Sequence, residues 1–342
     1  MACATTEYLR GPITLSILDR ESDGARIVLL GDWHTDEVTC PVDAKCEISL
    51  PLYLETLFNT YAGYHTIDFF VELWYDPADR RIPVSYEVPR FTKALTHICR
   101  GGVIQNHLHT VQAYFLDCFQ KLKSQCRFFR RPVRFHYADV RSGVLHEQTP
   151  SETREVVKEL QRLHRSRDGQ HLVPLGKRMI QKYIDHDVDF FFKLCKIDKQ
   201  LRAINDPGVT AHLTQFMLVQ MEGHNTEVAR QWLERLEKAQ GPTFPAPGFE
   251  RFMEAFQGSF MGPLFDIYVI ARIIRHRMTR IIIYGGDAHI QSLRWFFLNI
   301  MGFRETAARQ AKEKGKHFQC LDLRNTPQPW FAAEPEFLPK VE

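Results

Sequence analysis

The sequence predicts an α/β fold: a mostly parallel central sheet covered by helices on both faces, with a helical insertion. Three observations point to it. Short β-rich runs bounded by turn residues alternate with longer helical patterns. The runs are apolar with little interruption, as strands buried on both faces are. From residue 142 to residue 280 the strand signal nearly vanishes and helical patterns replace it.

Taken in order, the strand runs are "ITLSIL", "RIVLLG", "TIDFFVELW", "PVRFHYADV", "TRIIIYGG" and "HFQCLDL". The helical pattern "LPLYLETLFNTY" follows the second run, and "VIQNHLHTVQAYFLDCFQKLKS" precedes the fourth. "TPSETREVVKELQRLHRSR" follows the fourth, with Thr149 as N-cap, Pro150 at the first helical position and Glu152 three residues after the cap. We read one α/β domain over 1–342, in which 142–248 is a mainly helical insertion and 325–342 a proline-rich extended tail. The stretch "GPTFPAPG" at 241–248 is the clearest internal linker.

Charge names no partner. The chain has 342 residues, 44 basic against 41 acidic, for a net +3, too little asymmetry to imply nucleic acid or an anionic membrane. The first residues lack a basic start followed by an apolar signal-peptide core, and no apolar run approaches the length of a membrane span. The expectation is a soluble, cytoplasmic protein without membrane insertion. Eight cysteines are spread along the chain without C-x-x-C spacing, so they read as reduced thiols, Cys40 and Cys46 included.

The chemistry concentrates in a repeated motif. "GDWHTD" begins at Gly31 after "ARIVLL", and "RIIIYGGDAHIQ" repeats the arrangement with Gly286, Asp287 and His289. In each copy the glycine allows a sharp turn and leaves room for a ligand, while the histidine three residues on can point into the crevice beyond the strand ends. Glu72 ends the run "FFVE" at the same edge. His34, Glu72 and His289 thus make a set of two imidazoles and one carboxylate, the composition of open divalent-metal sites for manganese, zinc, iron or cobalt. A metal so held lowers the pKa of bound water near neutrality. Asp32 and Asp287 offer either further ligands or, the reading favoured here, acceptors that orient the neighbouring imidazoles.

Two Gly-x-x-His motifs plus a strand-end glutamate resemble the pattern of the Tiki/TraB superfamily, a group similar in fold and first motif to erythromycin esterases and ChaN-type haem-binding proteins. The matching residues are Gly31 to His34, Glu72, and Gly286 to His289. The resemblance implies a hydrolase in which His34, Glu72 and His289 hold or work with a divalent ion to cut an amide or ester bond, in a peptide or small-molecule substrate. It also admits a metal-free mechanism, since erythromycin esterases use the first-motif histidine as a base. Asp32 departs from the glutamate usual in the esterase and ChaN motifs. "DIYVIARIIRH" and "IIIYGGDAHI" are further similar to proteins of large DNA viruses, which would place the chain in a virion or an infected-cell cytoplasm.

Further residues support a site. Ile267, Ile270, Ile273 and Ile274 recur at helical spacing, and Asp266 falls on their apolar face, where a carboxylate must be paired or raised in pKa. Asp139 and Arg141 follow the fourth strand at the functional edge, where Arg141 can meet an anionic group. His107 and His109, two apart on a helical pattern, diverge and read as a surface pair. The basic cluster from Lys121 to Arg134 reads as a helix terminus and strand entry rather than a nucleic-acid surface. Two other readings compete with the metallohydrolase. One is a non-catalytic structural or interaction protein, viral in setting, meeting a protein partner through the helical insertion or the tail. The other is a calcineurin-like phosphoesterase, suggested by Asp32-x-His34.

Overall fold

The computed structural model describes residues 6–33, 40, 46–74, 107–119, 126–139, 172–194, 197–222, 224–238, 262–311 and 319–331. In chain order the elements are β1 (Tyr8–Arg10), β2 (Thr14–Arg20), β3 (Ala25–Asp32), β4 (Glu47–Ser49), α1 (Leu50–Thr60), β5 (Ile67–Trp74), α2 (His107–Tyr114), α3 (Leu116–Phe119) and β6 (Val133–Asp139). Then follow α4 (Leu172–Ile184), α5 (Val188–Leu194), α6 (Ile197–Ile204), α7 (Pro207–Met221), α8 (His224–Lys238), α9 (Gly262–Arg275), β7 (Arg280–Gly286), α10 (Asp287–Asn299), β8 (Arg304–Gln310) and β9 (Cys320–Asp322). Contacts divide the chain into two compact units, one of Met1–Leu73, Ile82–Tyr137 and Met278–Glu342, the other of Trp74–Arg81 and Ala138–Arg277.

The fold is α/β. A six-stranded sheet has the order β6-β5-β7-β3-β2-β8, and a three-stranded sheet the order β4-β1-β9. β7 pairs parallel with both β5 and β3, while β2 joins β3 and β8 antiparallel. β3 and β7 are buried along nearly their whole length, which their continuous apolar sequences require of central strands. β8 alternates exposed and half-buried residues over "RETAARQ". Its charged, non-apolar sequence suits an edge and carries no strand signal, so it went unread in the sequence, as did the three-residue β1 and β4.

One face of the large sheet is aromatic. Leu15, Ile17, Val28, Leu30, Phe69, Val71, Ile282 and Tyr284 pack with Leu54, Leu57 and Phe58 of α1, Val111 of α2, and Phe115 and Phe128. Phe58, Phe69 and Phe115 form a triangle with ring centroids 5.8 to 5.9 Å apart. Each such fully buried side chain contributes about 2 kcal/mol of transfer free energy. The alternate residues Ile27, Leu29, Ile281 and Ile283 are buried on the other face. There α10 packs on β3, β7 and β2 through Ile290, Leu293, Phe296 and Phe297.

The tail enters this core. Trp330 is fully buried with its ring 4.5 Å from that of Tyr53, its carbonyl accepts from Arg26 Nη1 at 2.8 Å, and Phe331 packs on Tyr61. Proline kept residues 325–331 out of regular structure without keeping them out of the core.

The cysteines correct the reduced-thiol expectation. Cys40 bonds to Cys320, 280 residues away, Cys118 bonds to Cys126, and Cys46 is disulfide-bonded as well. Spacing hid the Cys40–Cys320 pair because its partners meet only through the fold: Cys320 lies in β9, which the chain reaches only after completing the large sheet, whereas Cys118 and Cys126 stand eight residues apart.

In the second unit α9 packs on α6 and α7, and α8 on α4. α7 begins as its sequence dictates, with Asp206 as N-cap accepting from the Val209 amide at 3.1 Å and Pro207 at the first helical position. Asp266 is buried on α9 among Ile267, Ile270 and Ile273, as the helical spacing required. Among the described residues no helix is long and apolar enough to cross a membrane.

Candidate functional site

The carboxyl ends of the parallel strands β3, β7 and β5 lie side by side. Gly31 pairs with Gly285 and Asp32 with Gly286 on one flank of β7, and Val71 pairs with Tyr284 on the other. Gly31 remains within β3 and makes no turn, whereas Gly286 ends β7 and caps the next helix, so the chain turns there as expected. α10 starts directly after β7 with Gly286 as N-cap, and its first residues are Asp287, Ala288 and His289.

Two of the three expected site residues converge there. Glu72 is buried at 7% exposure, and its Oε2 accepts from the Gly286 amide at 2.7 Å. Its Oε1 lies 3.6 Å from His289 Nε2. The carboxylate therefore supplies from a separate strand the anionic partner that the N-terminus of α10 lacks in its own cap. His34 lies outside the described residues, as do Arg141, the Thr149 cap and the 241–248 linker. The structure describes Asp139 as the last residue of β6 but not its side chain. Asp266 belongs to the second unit.

The two motif aspartates part company. Asp287 Oδ1 accepts from the Thr14 hydroxyl at 2.5 Å and from Gln291 Nε2 at 3.2 Å. This explains Gly31. A Cβ there would lie 2.2 Å from both Asp287 Oδ1 and Thr14 Oγ1, so the missing side chain leaves room for a hydrogen bond that ties α10 to β2. Asp32 shares the face of Leu30 by strand alternation and is buried at 1% exposure. It accepts from the hydroxyl of Tyr284, whose pKa burial and then the Asp32 charge hold well above the usual value.

Tyr284 is in turn 2.9 Å from His107 Nδ1. Because the tyrosine gives its one proton to Asp32, His107 Nδ1 must be the donor in that contact. Burial pushes the His107 imidazole down to about 4, which leaves it neutral at neutral pH. His107 is thus buried and hydrogen-bonded, and the surface reading fails for it. Gly11 permits the packing: its φ is +133°, and a Cβ on it would stand 2.2 Å from the ring.

Thr14, His107 and Tyr284 are site-supporting residues that the sequence reading missed. Two signals existed, an aromatic immediately before the glycines of "IIIYGG" and a histidine in an otherwise apolar helical pattern. For Thr14 there was none.

A divalent ion with bonds of about 2.1 Å holds adjacent donors about 3–3.5 Å apart, and the Glu72 and His289 pair, at 3.6 Å, stands slightly wider than one edge of such a shell. Among the described residues the one group of three potential ligands within 4.8 Å of one another is elsewhere, at Asp117, Cys118 and Cys126. No protein-family model, no curated protein and no solved structure matches this chain.

Proposed function

We propose that the chain is a metal-dependent hydrolase of the Tiki/TraB and erythromycin-esterase type, cleaving an amide or ester bond with an activated water. The observation that carries the reading is the approach of Glu72 Oε1 to His289 Nε2, 3.6 Å apart at the carboxyl edge of three parallel strands. His34, Glu72 and His289 would hold the ion, which supplies acidification of water at neutral pH. Manganese, zinc, iron and cobalt all suit this donor set.

The chain's own groups have defined tasks. The Gly286 amide fixes one Glu72 oxygen and so aims the other at His289. Thr14 holds Asp287, the first residue of α10, and through it the helical turn that carries His289. A carboxylate beside an imidazole at this spacing can also take a proton from water and pass it to a leaving group, so the pair retains a role in a metal-free mechanism.

Elemental analysis tests the proposal on protein purified without chelator or histidine tag, beside a His34→Ala, His289→Ala double variant. One equivalent of these metals per chain, lost in the variant, supports the reading. A wild type that stays empty after each ion is added overturns the metal-dependent mechanism and leaves Glu72 and His289 as a general-base pair, to be assayed on peptide and ester panels.

A further inference from the structure

The geometry points to a second, chemically different cation site at Asp117, Cys118 and Cys126, closed as a disulfide when oxidised and open to zinc or a similar soft ion when reduced. The two sulfurs and one Asp117 oxygen all lie within 4.8 Å of one another. Two thiolates and a carboxylate make a three-ligand zinc set with a fourth position for water.

The surroundings favour that state. The Phe128 amide donates to Cys126 Sγ at 3.3 Å, a hydrogen bond that strengthens as the sulfur becomes anionic. The Arg127 amide donates to Asp117 Oδ2 at 3.0 Å and holds that carboxylate beside the sulfurs. The Arg127 guanidinium is fixed over the rings of Tyr114, Phe115 and Phe128 at 4.4, 5.5 and 5.3 Å. The same guanidinium donates to the Tyr114 carbonyl and lies 4.0 Å from a Glu55 oxygen, so it is held on the α2 side of the cysteine pair. Cys118 is buried in the aromatic core, while Asp117 is half-buried and Arg127 exposed. This site absorbs part of the basic, aromatic stretch around Arg127, which has no role in the hydrolase reading.

The step balances with a named reductant. A phosphine takes oxygen from water and delivers two electrons and two protons to the Cys118–Cys126 bond, giving two thiols and a phosphine oxide. Each thiol releases its proton to solvent as the ion binds. Rotation about the two Cα–Cβ bonds parts the sulfurs to the separation of about 3.7 Å that a tetrahedral ion with bonds of about 2.3 Å requires.

The test uses the full chain, reduced with phosphine, with thiols counted by alkylation and folding checked by circular dichroism. Cobalt(II) is added, then displaced by zinc. The expected result is a sulfur-to-cobalt charge-transfer band of one equivalent, absent before reduction, lost in both Cys118→Ser and Cys126→Ser. Asp117→Asn should weaken zinc binding by about tenfold or more. Cobalt at Glu72 and His289 gives no such band, so success or failure here is independent of the hydrolase reading. The proposal is overturned by a fully reduced, folded chain without the band, by a band that survives in either serine variant, or by a Cys118–Cys126 bond that yields only on unfolding.

Discussion

Replacing Gly31 by alanine places a methyl group where the Thr14 to Asp287 hydrogen bond runs. The new carbon would sit 2.2 Å from each of the two oxygens, whereas ordinary contact begins near 3.4 Å, so both must retreat by more than an ångström. Neither has slack: Thr14 is β-branched and restricted at χ1, and Asp287 is held in the first turn of α10. Overpacking of this kind costs about 1–3 kcal/mol, and the lost hydrogen bond adds about 1 kcal/mol, for a total of about 2–4 kcal/mol. Urea unfolding of wild type and variant measures it, with amide exchange in the first turn of α10 reporting whether the loss is local. Thr14→Ala removes one of the clashing oxygens and should cost about 1 kcal/mol alone. In the double variant the methyl occupies the space the hydroxyl vacated, so the penalties combine to less than their sum by about 1 kcal/mol or more. A Gly31→Ala protein within about 0.5 kcal/mol of wild type, or strictly additive penalties, would refute the account of why this strand ends in glycine.

His107 makes stability depend on pH. Its folded pKa is depressed to about 4 from an ordinary 6.5, so protons favour the unfolded chain. The contribution is complete above about pH 6.5 and is lost as pH falls toward about 4, at about 1.4 kcal/mol per unit. His107→Gln should flatten that segment of a stability-against-pH curve measured by urea unfolding, and an unchanged slope would count against a buried neutral imidazole. Trp330→Ala should cost about 3–5 kcal/mol by the same assay, because the ring is fully buried against Tyr53; a loss under about 1 kcal/mol would mean the tail does not seal the core.

The strands that define the fold were readable because burial on both faces demands uninterrupted apolar sequence, as in "RIVLLG" and "RIIIYGG". Their order was not, since nothing local states that β7 lies between β3 and β5. The placement of Glu72 and His289 at one edge followed from strand ends and motif spacing. What decided the rest was tertiary. Gly31 announced a close approach, yet the approaching group is Thr14 with Asp287 rather than a ligand. His107 looked superficial because its spacing from His109 described only its own helix, while its burial depends on Tyr284 and Gly11. The Cys40–Cys320 disulfide escaped for the same reason, as its partners are neighbours only once β9 has docked on β1.

The central position of β7 sets the order in which the protein can be built. β3 and β5 are made early, and the strand that belongs between them follows roughly two hundred residues later, about 10–40 s at ordinary rates of synthesis. Until then Val28, Leu29 and Leu30 on one side and Phe69 and Phe70 on the other border an empty slot with two unpaired edges. Unpaired edges of this kind invite self-association in a partly made chain, and the edge that carries Glu72 and His289 is complete only once β7 and α10 are in place.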